Sequence, residues 1–313
     1  MSFIKPLVTV LMPVFNGEKF LPESIESILS QSFNNFEFLL IDDCSFDKSV
    51  QLIKSYNDDR IKLLQNNHNM GQAATMNRGI FEANGEFICR LDQDDVSTLE
   101  RLEIQVKEMY KNDNTIIGTW AQVINQDSKI IGYVKHPIDN RSIVDSLSIN
   151  CALTHSSICV RKNHLLKLGG YSLKYNLAMD WELWIRASSN KIKFINIPDF
   201  LVKIRSHPNQ ATQLNIAKLN FDKLRLIKNT ESLILTKNNL KAYRIWKFYF
   251  NIINTPLKNN FMSYLYNIIR NLASINFFVN LFTMIYYHKI LSKPDRFYNA
   301  PIIYKKLSQY MDN

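Results

Sequence analysis

Residues 87–95, Phe-Ile-Cys-Arg-Leu-Asp-Gln-Asp-Asp, are the stretch on which the fold turns. The apolar run from Phe87 to Leu91 has the character of a buried strand. It ends in three carboxylates, Asp92, Asp94 and Asp95. In an open α/β sheet, ligands collect in the crevice beyond the carboxyl ends of the strands. Three acids at such a tip repel one another unless a cation lies among them, and carboxylate oxygens suit Mn2+ or Mg2+. An ion held by so few protein ligands completes its shell with phosphate oxygens. The stretch therefore points to a metal and diphosphate site. The plainer alternative is a solvated acidic turn in which Asp95 or Ser97 caps the next helix.

Upstream, Val8 to Met12 is an apolar run that ends at Pro13, with a turn at Asn16-Gly17. Phe20, Leu21, Ile25, Ile28 and Leu29 then recur at helical spacing. Phe36 to Ile41 reads as a second strand closed by Asp42-Asp43-Cys44-Ser45, Phe46 to Tyr56 as a helix, and Ile61 to Leu64 as a third strand. The loop 66–71 leads into a helix over Gln72 to Ala83. This alternation predicts a parallel sheet with right-handed crossovers. The polar residues at the strand ends, Asn16, Asp43, Asn69 and Asp92, then converge on one edge, which points to a nucleotide pocket.

Downstream, a helix is expected over Leu99 to Tyr110, and strands over Ile116 to Asn125 and Ile130 to His136. A short helix covers Ile143 to Leu147, and a strand containing His155 runs from Thr154 to Arg161. His164 to Leu168 is a helix closed by Gly169-Gly170. Ala178 to Arg186 is a helix with Asp180 at its start, Lys191 to Ile197 and Leu201 to Ile204 are strands, and Arg205 to Asn209 is a loop. Beyond that the pattern is helical.

A hydrophobic content of 46% with 12% aromatics provides for a substantial core and argues against disorder. The four cysteines, Cys44, Cys89, Cys151 and Cys159, form no zinc or disulfide framework, and the short segment Met1 to Pro6 is no signal peptide, so the expected compartment is the reducing cytoplasm. Charge is divided unevenly. Residues 1–214 carry 23 Lys+Arg against 24 Asp+Glu, whereas residues 215–313 carry 15 against 4. The whole basic excess lies in the last third, which suggests an anionic partner.

Residues 7 to about 210 resemble the family 2 glycosyltransferases, which have the GT-A fold. The resemblance is carried by Met-Pro-Val-Phe-Asn (12–16), Ser-Ile-Leu-Ser-Gln-Ser-Phe (27–33), Ile-Asp-Asp-Cys-Ser (41–45), Asn-x-Gly (69–71), Asn-Arg-Gly (77–79) and Ala-Asn-Gly-Glu-Phe-Ile (83–88). Leu-Asp-Gln-Asp-Asp (91–95), Gly-Gly-Tyr (169–171) and Asp-Trp-Glu-Leu-Trp (180–184) complete it, in order. The set is specific for the superfamily and says little of donor or acceptor. It implies an α/β, Rossmann-like, mostly parallel sheet flanked by helices, with a helical C-terminal extension.

The resemblance also implies roles. Pro13, Val14, Phe15, Asn16, Glu18 and Asp43 match nucleotide contacts, with Asn69, Gly71, Asn77 and Asp92 completing the nucleotide-sugar set. A carboxylate at Asp43 can accept from a uracil ring N–H; the alternative is an Asx-turn at a strand end. Asp94 matches the direct metal ligand, and His207 a loop that in many relatives closes over the diphosphate or binds the metal. Asp180 matches the catalytic base of an inverting transfer, although it follows Met179 where the family often has Glu; the alternative is a plain helix N-cap. His155 and Trp181 fall on the acceptor side, where core packing competes with substrate contact. Cys44 replaces the Gly or Asn frequent in its turn.

These implications give a catalytic domain over residues 1–214, with a nucleotide-sugar half to about residue 96 and an acceptor half beyond it, and a basic helical region over 215–313. The apolar stretch 275–291 is short of the roughly 20 residues a spanning helix needs. The aromatic and basic stretch 241–253 suits a membrane interface, with a helical cap on the catalytic domain as the alternative. The expectation is a cytoplasmic enzyme, peripheral at the inner face of the membrane, using a UDP-sugar and a lipid-linked saccharide acceptor with Mn2+ or Mg2+, and no nucleic acid. A sugar-nucleotide nucleotidyltransferase is disfavoured because the loop after the first strand lacks a Gly-rich, basic character. A nucleic-acid-binding module would explain the basic tail and not the acids.

Overall fold

In the computed structural model, residues 5–215 apart from 149 and 176 are described, together with 219, 222, 223, 225, 226 and 229. The expectations for 241–253 and 275–291 lie outside the described residues.

The N-terminal half alternates as its apolar runs dictate. β1 (Val8–Val14), α1 (Leu21–Leu29), β2 (Phe36–Asp42), α2 (Ser49–Ser55), β3 (Ile61–Gln65), α3 (Gln72–Glu82) and β4 (Phe87–Arg90) follow one another. β3, β2, β1 and β4 lie side by side in that order, all parallel. β2 and β3 lie on one side of β1 and β4 on the other, so the switch point falls between β1 and β4, where open α/β sheets bind ligands.

β1 runs through Pro13 rather than ending before it. Leu11 O accepts from Leu91 N on the β4 side, and Val14 O accepts from Asp43 N on the β2 side. Strand alternation therefore turns the backbone of Pro13 towards β4. The β1–β4 ladder has already ended at Leu11 and Arg90, so no hydrogen bond is lost to the missing N–H. Beneath this edge, Val10, Met12, Ile25, Phe38, Leu40, Phe87 and Leu91 form part of one buried cluster. Gly85 fits there because a Cβ would lie 2.4 Å from the backbone nitrogen of Thr9.

The second half mixes strand directions. β5 (Val96–Ser97) and α4 (Arg101–Lys111) are followed by β6 (Thr115–Ile124), β7 (Ile130–Val134) and α5 (Asn140–Ser146). β8 (Cys159–Arg161), α6 (Lys162–Lys167), α7 (Met179–Ser189), β9 (Lys193–Arg205) and α8 (Ala211–Leu214) complete the order. The sheet continues from β4 through β8, β6 and β9 to β5. β8 runs antiparallel to β4 and β6, and β9 parallel to β6. Two expectations are corrected. His155 lies in a 3-10 turn, His155–Ser157, before β8 rather than in it. The two strands expected over 191–204 are one, which bulges past Pro198 and Asp199 so that Ile197 faces Thr119 and Phe200 faces Trp120.

Candidate active site

The loop after β4 holds the three acids, each with a different partner. Arg90, the last residue of β4 and 2% exposed, grips both oxygens of Asp92 through its two terminal nitrogens. Ser156 also donates to Asp92 Oδ2 at 3.1 Å, and Gln72 to Oδ1 at 3.2 Å. Asp94 Oδ2 lies 2.9 Å from His207 Nε2. Asp95 is buried and accepts from the Arg205 backbone N–H at 2.8 Å and from the Ser156 hydroxyl. Burial, then the charges of Asp94 and Asp92, push the Asp95 carboxyl well above the ordinary range. Oxygens of Asp92, Asp94 and Asp95 lie within 4.8 Å of one another. This set of hard oxygen donors fits Mn2+ or Mg2+, and its mutual repulsion is what such an ion relieves.

Between Asp92 and Asp94, Gln93 turns back to β1. Its Oε1 accepts from Phe15 N at 2.8 Å and its Nε2 donates to Phe15 O at 3.0 Å, tying the acidic loop to the first strand tip. Arg205 ties the same loop to β9: its Nε donates to Asp94 O at 2.9 Å, and its terminal nitrogens reach Asn125 O and Glu23. The Arg205 guanidinium and the His207 ring both pack against Phe20. Neither Gln93 nor Arg205 was singled out by the sequence.

At the β1 and β2 tips, Asn16 has φ 50° and Cys44 φ 65°. Asn16 Oδ1 accepts from Phe46 N and Glu18 Oε2 from Lys48 N, which joins the two loops. Phe15 is partly exposed and meets Phe46 edge-on with centroids 6.0 Å apart. Asp43 is buried, and its carboxylate accepts from Asn66 Nδ2 at 2.7 Å, Met70 N at 2.8 Å and Gly71 N at 2.8 Å. It thus fastens the 66–71 loop, where Asn69 is exposed. Asn77 pairs its amide with Tyr171 N at 2.6 Å and Tyr171 O at 2.8 Å, tying α3 to the chain after α6.

Asp180 occupies the first turn of α7 without capping it; the N-cap is Ala178. Its Oδ2 accepts from the Cys151 thiol at 3.6 Å. Burial raises its pKa, and the N–H of Trp181, the charge of Arg90 and the Cys151 thiol oppose the rise. His155 Nε2 is 2.8 Å from the Tyr171 hydroxyl, and burial with Arg90 nearby keeps this imidazole neutral well below its ordinary pKa. Trp181 is withdrawn from the acceptor set: it is 2% exposed, and its indole N–H donates to Leu147 O at 2.8 Å.

Residues 9–169 match the model of the Glycosyl transferase family 2. The chain belongs to this family. Its relatives include the E. coli O-antigen biosynthesis glycosyltransferase WbnJ, 32% identical over 67% of this chain and 83% of that protein. The E. coli UDP-Glc:alpha-D-GlcNAc-diphosphoundecaprenol beta-1,3-glucosyltransferase WfgD is 30% identical over 70% of this chain and 83% of its own. Two solved structures share the GT-A fold. S. aureus TarS 1-349 in complex with UDP-GlcNAc superposes with a TM-score of 0.64 at 19% identity, covering 80% of this chain and 76% of that one. The Pyrobaculum calidifontis mannosyltransferase PcManGT, in complex with GDP-Man and Mn2+, gives 0.60 at 16% identity, covering 96% and 85%. The family match ends before Asp180 and His207. Among the described residues, no helix is long and apolar enough to cross a membrane.

Proposed function

We propose that this glycosyltransferase moves a hexose or N-acetylhexosamine from a UDP-sugar, with inversion, to a hydroxyl of a lipid-linked saccharide during cell-surface polysaccharide or O-antigen assembly. The observation that carries the reading is the gathering of Asp92, Asp94, Asp95 and His207 at the switch point, with Arg90 gripping Asp92. WfgD, a UDP-glucose enzyme with a lipid-diphosphate acceptor by name, and TarS with its UDP-GlcNAc support the donor and acceptor classes.

The β1, β2 and 66–71 loops, with Asp43 and Asn16, would seat the nucleotide, and Asp92 the ribose side of the donor. Asp94 and His207 would hold Mn2+ or Mg2+, which when bound neutralises charge on the diphosphate. Asp180 accepts the proton of the acceptor hydroxyl as that oxygen bonds to the anomeric carbon. The bond from that carbon to the diphosphate oxygen breaks at the same time, and UDP departs. An α-linked donor thus gives a β-linkage. His155, neutral and held by Tyr171, lines the acceptor side. The basic residues 215–313 bring the enzyme to the inner membrane face.

The test is hydrolysis and transfer across a panel of UDP-sugars, with GDP-mannose as contrast, in Mn2+. Turnover of one or more UDP-sugars is expected. Turnover of GDP-mannose alone would overturn the donor assignment, and retention of the anomeric configuration would remove Asp180 from its role.

A further inference from the structure

A cation fully buried at the end of a central strand is an expensive way to build a core, because taking the charge out of water costs several kcal/mol before any pairing. Arg90 nevertheless stands there. Its backbone is used like that of any strand residue, donating to Ile158 O at 2.9 Å. Its side chain faces the site. The two terminal nitrogens close on Asp92, and one of them also donates to Ser156 Oγ at 3.2 Å. Ser156 in turn receives the Asp92 backbone N–H at 3.2 Å and donates to the carboxylates of Asp92 and Asp95. The guanidinium Nε is buried with no hydrogen-bond partner.

The turn that carries Ser156 also carries His155, whose ring packs edge-on against Tyr171 at 5.5 Å and against Trp184 of α7 at 6.2 Å. Arg90 thus bonds the acidic loop to the turn that packs on the helix bearing Asp180. Its charge acts on Asp92, Tyr171, His155 and Asp180. The other groups acting on Asp180 are the Cys151 thiol, the Trp181 N–H, Tyr171 and Lys223.

We propose that Arg90 is a positioning residue shared by both halves of the site, fixing Asp92 towards the donor and tying the acidic loop, through the turn of His155 and Ser156, to the helix that bears Asp180. Asp92 is neutralised by the protein itself, so Asp94 and His207 are left to meet the cation. The Arg90 charge also favours the ionised form of the base, which burial disfavours. Donor grip and base strength therefore depend on one side chain.

The inference rests on the UDP-sugar reading, and full-length enzyme tests the two separately. UDP affinity in Mn2+ is measured by calorimetry, and the pH dependence of UDP-sugar hydrolysis by kcat. Failure of the wild type to bind UDP overturns the donor reading and the inference together. With wild-type binding in hand, Arg90→Met should lose UDP affinity by about tenfold or more, as second-layer partners of a metal site do. Its acid limb should move to higher pH. Arg90→Lys should restore the limb, because the charge is kept, but not the affinity, because a lysine cannot grip both oxygens. Should Arg90→Met fail to fold, Arg90→Lys and Ser156→Ala still decide: weakened UDP binding in both supports the role. Folded variants with wild-type affinity and an unmoved limb would overturn it.

Discussion

Asp180 combines two features that a mere helix cap would not need. It is not the N-cap of α7, and its pKa is raised by burial from the ordinary 3.8. A base must be ionised to act, so a raised pKa means that activity is lost, as pH falls, earlier than for an ordinary carboxylate. The acid limb of kcat should accordingly lie above the usual carboxylate range. Asp180→Asn should lower turnover by about 10²–10⁴-fold while UDP binding, followed by calorimetry, stays near wild type; equal turnover would exclude the base role. Cys44 lends itself to a stability test. Its φ of 65° suits glycine and strains any residue with a Cβ. Cys44→Gly should stabilise the fold by on the order of 0.5–1 kcal/mol, the relief of strain less the added freedom of the unfolded chain, measured by denaturant titration. Asp92, Asp94, Asp95 and Asp180 were legible as motif residues. The pairing of Asn77 was not, because its partner, Tyr171, is 94 positions away and is met through backbone atoms, which leave no trace in a motif.

Among the elements, legibility follows strand length. β1 to β4 are bounded apolar runs whose parallel order can be anticipated from their alternation with helices. β5, with 2 residues, is too short to carry a period, β8 is only the last 3 residues of the strand expected over Thr154 to Arg161, and β9 hides its continuity behind Pro198. Pro13 misled in the same way, because a proline is harmless in a strand where the neighbouring ladder has ended. The close approach of the Gly85 turn to β1 offers a direct check on this packing. A methyl at Gly85 would stand 2.4 Å from Thr9 N and 2.6 Å from Val8 C, and neither backbone atom can yield without moving β1. Gly85→Ala should cost about 1–3 kcal/mol or more, seen as a lower denaturation midpoint, whereas a neutral outcome would mean the β1 edge is loosely held.

Across the whole chain, the charge balance separates near-neutral residues 1–214 from a strongly basic remainder. If that remainder serves a membrane, the protein should sediment with anionic liposomes at low salt and be released at high salt, since each Lys or Arg near anionic lipid contributes about 1 kcal/mol that salt screens. Failure to sediment at low salt would leave the basic residues without a membrane role. Metal binding makes the more searching test, because the acidic tip depends on several parts of the chain at once. Asp94 comes from the loop after β4, His207 from the end of β9, and Arg205 holds the two together. A cation bound there joins the first half of the chain to the second and relieves the repulsion felt by Asp95. Binding to the folded state alone stabilises it by mass action, roughly 2.7 kcal/mol at a hundredfold excess over Kd. Mn2+ should therefore raise the melting temperature of the wild type even without donor, and Asp94→Asn should abolish most of the rise. EDTA should stop UDP-sugar turnover, and added Mn2+ or Mg2+ should restore it. Full activity in chelator, with a melting temperature indifferent to Mn2+, would show that the acids are held without an ion, by Arg90 on Asp92 and by the hydrogen bonds to Asp94 and Asp95, and that the diphosphate is met without a metal.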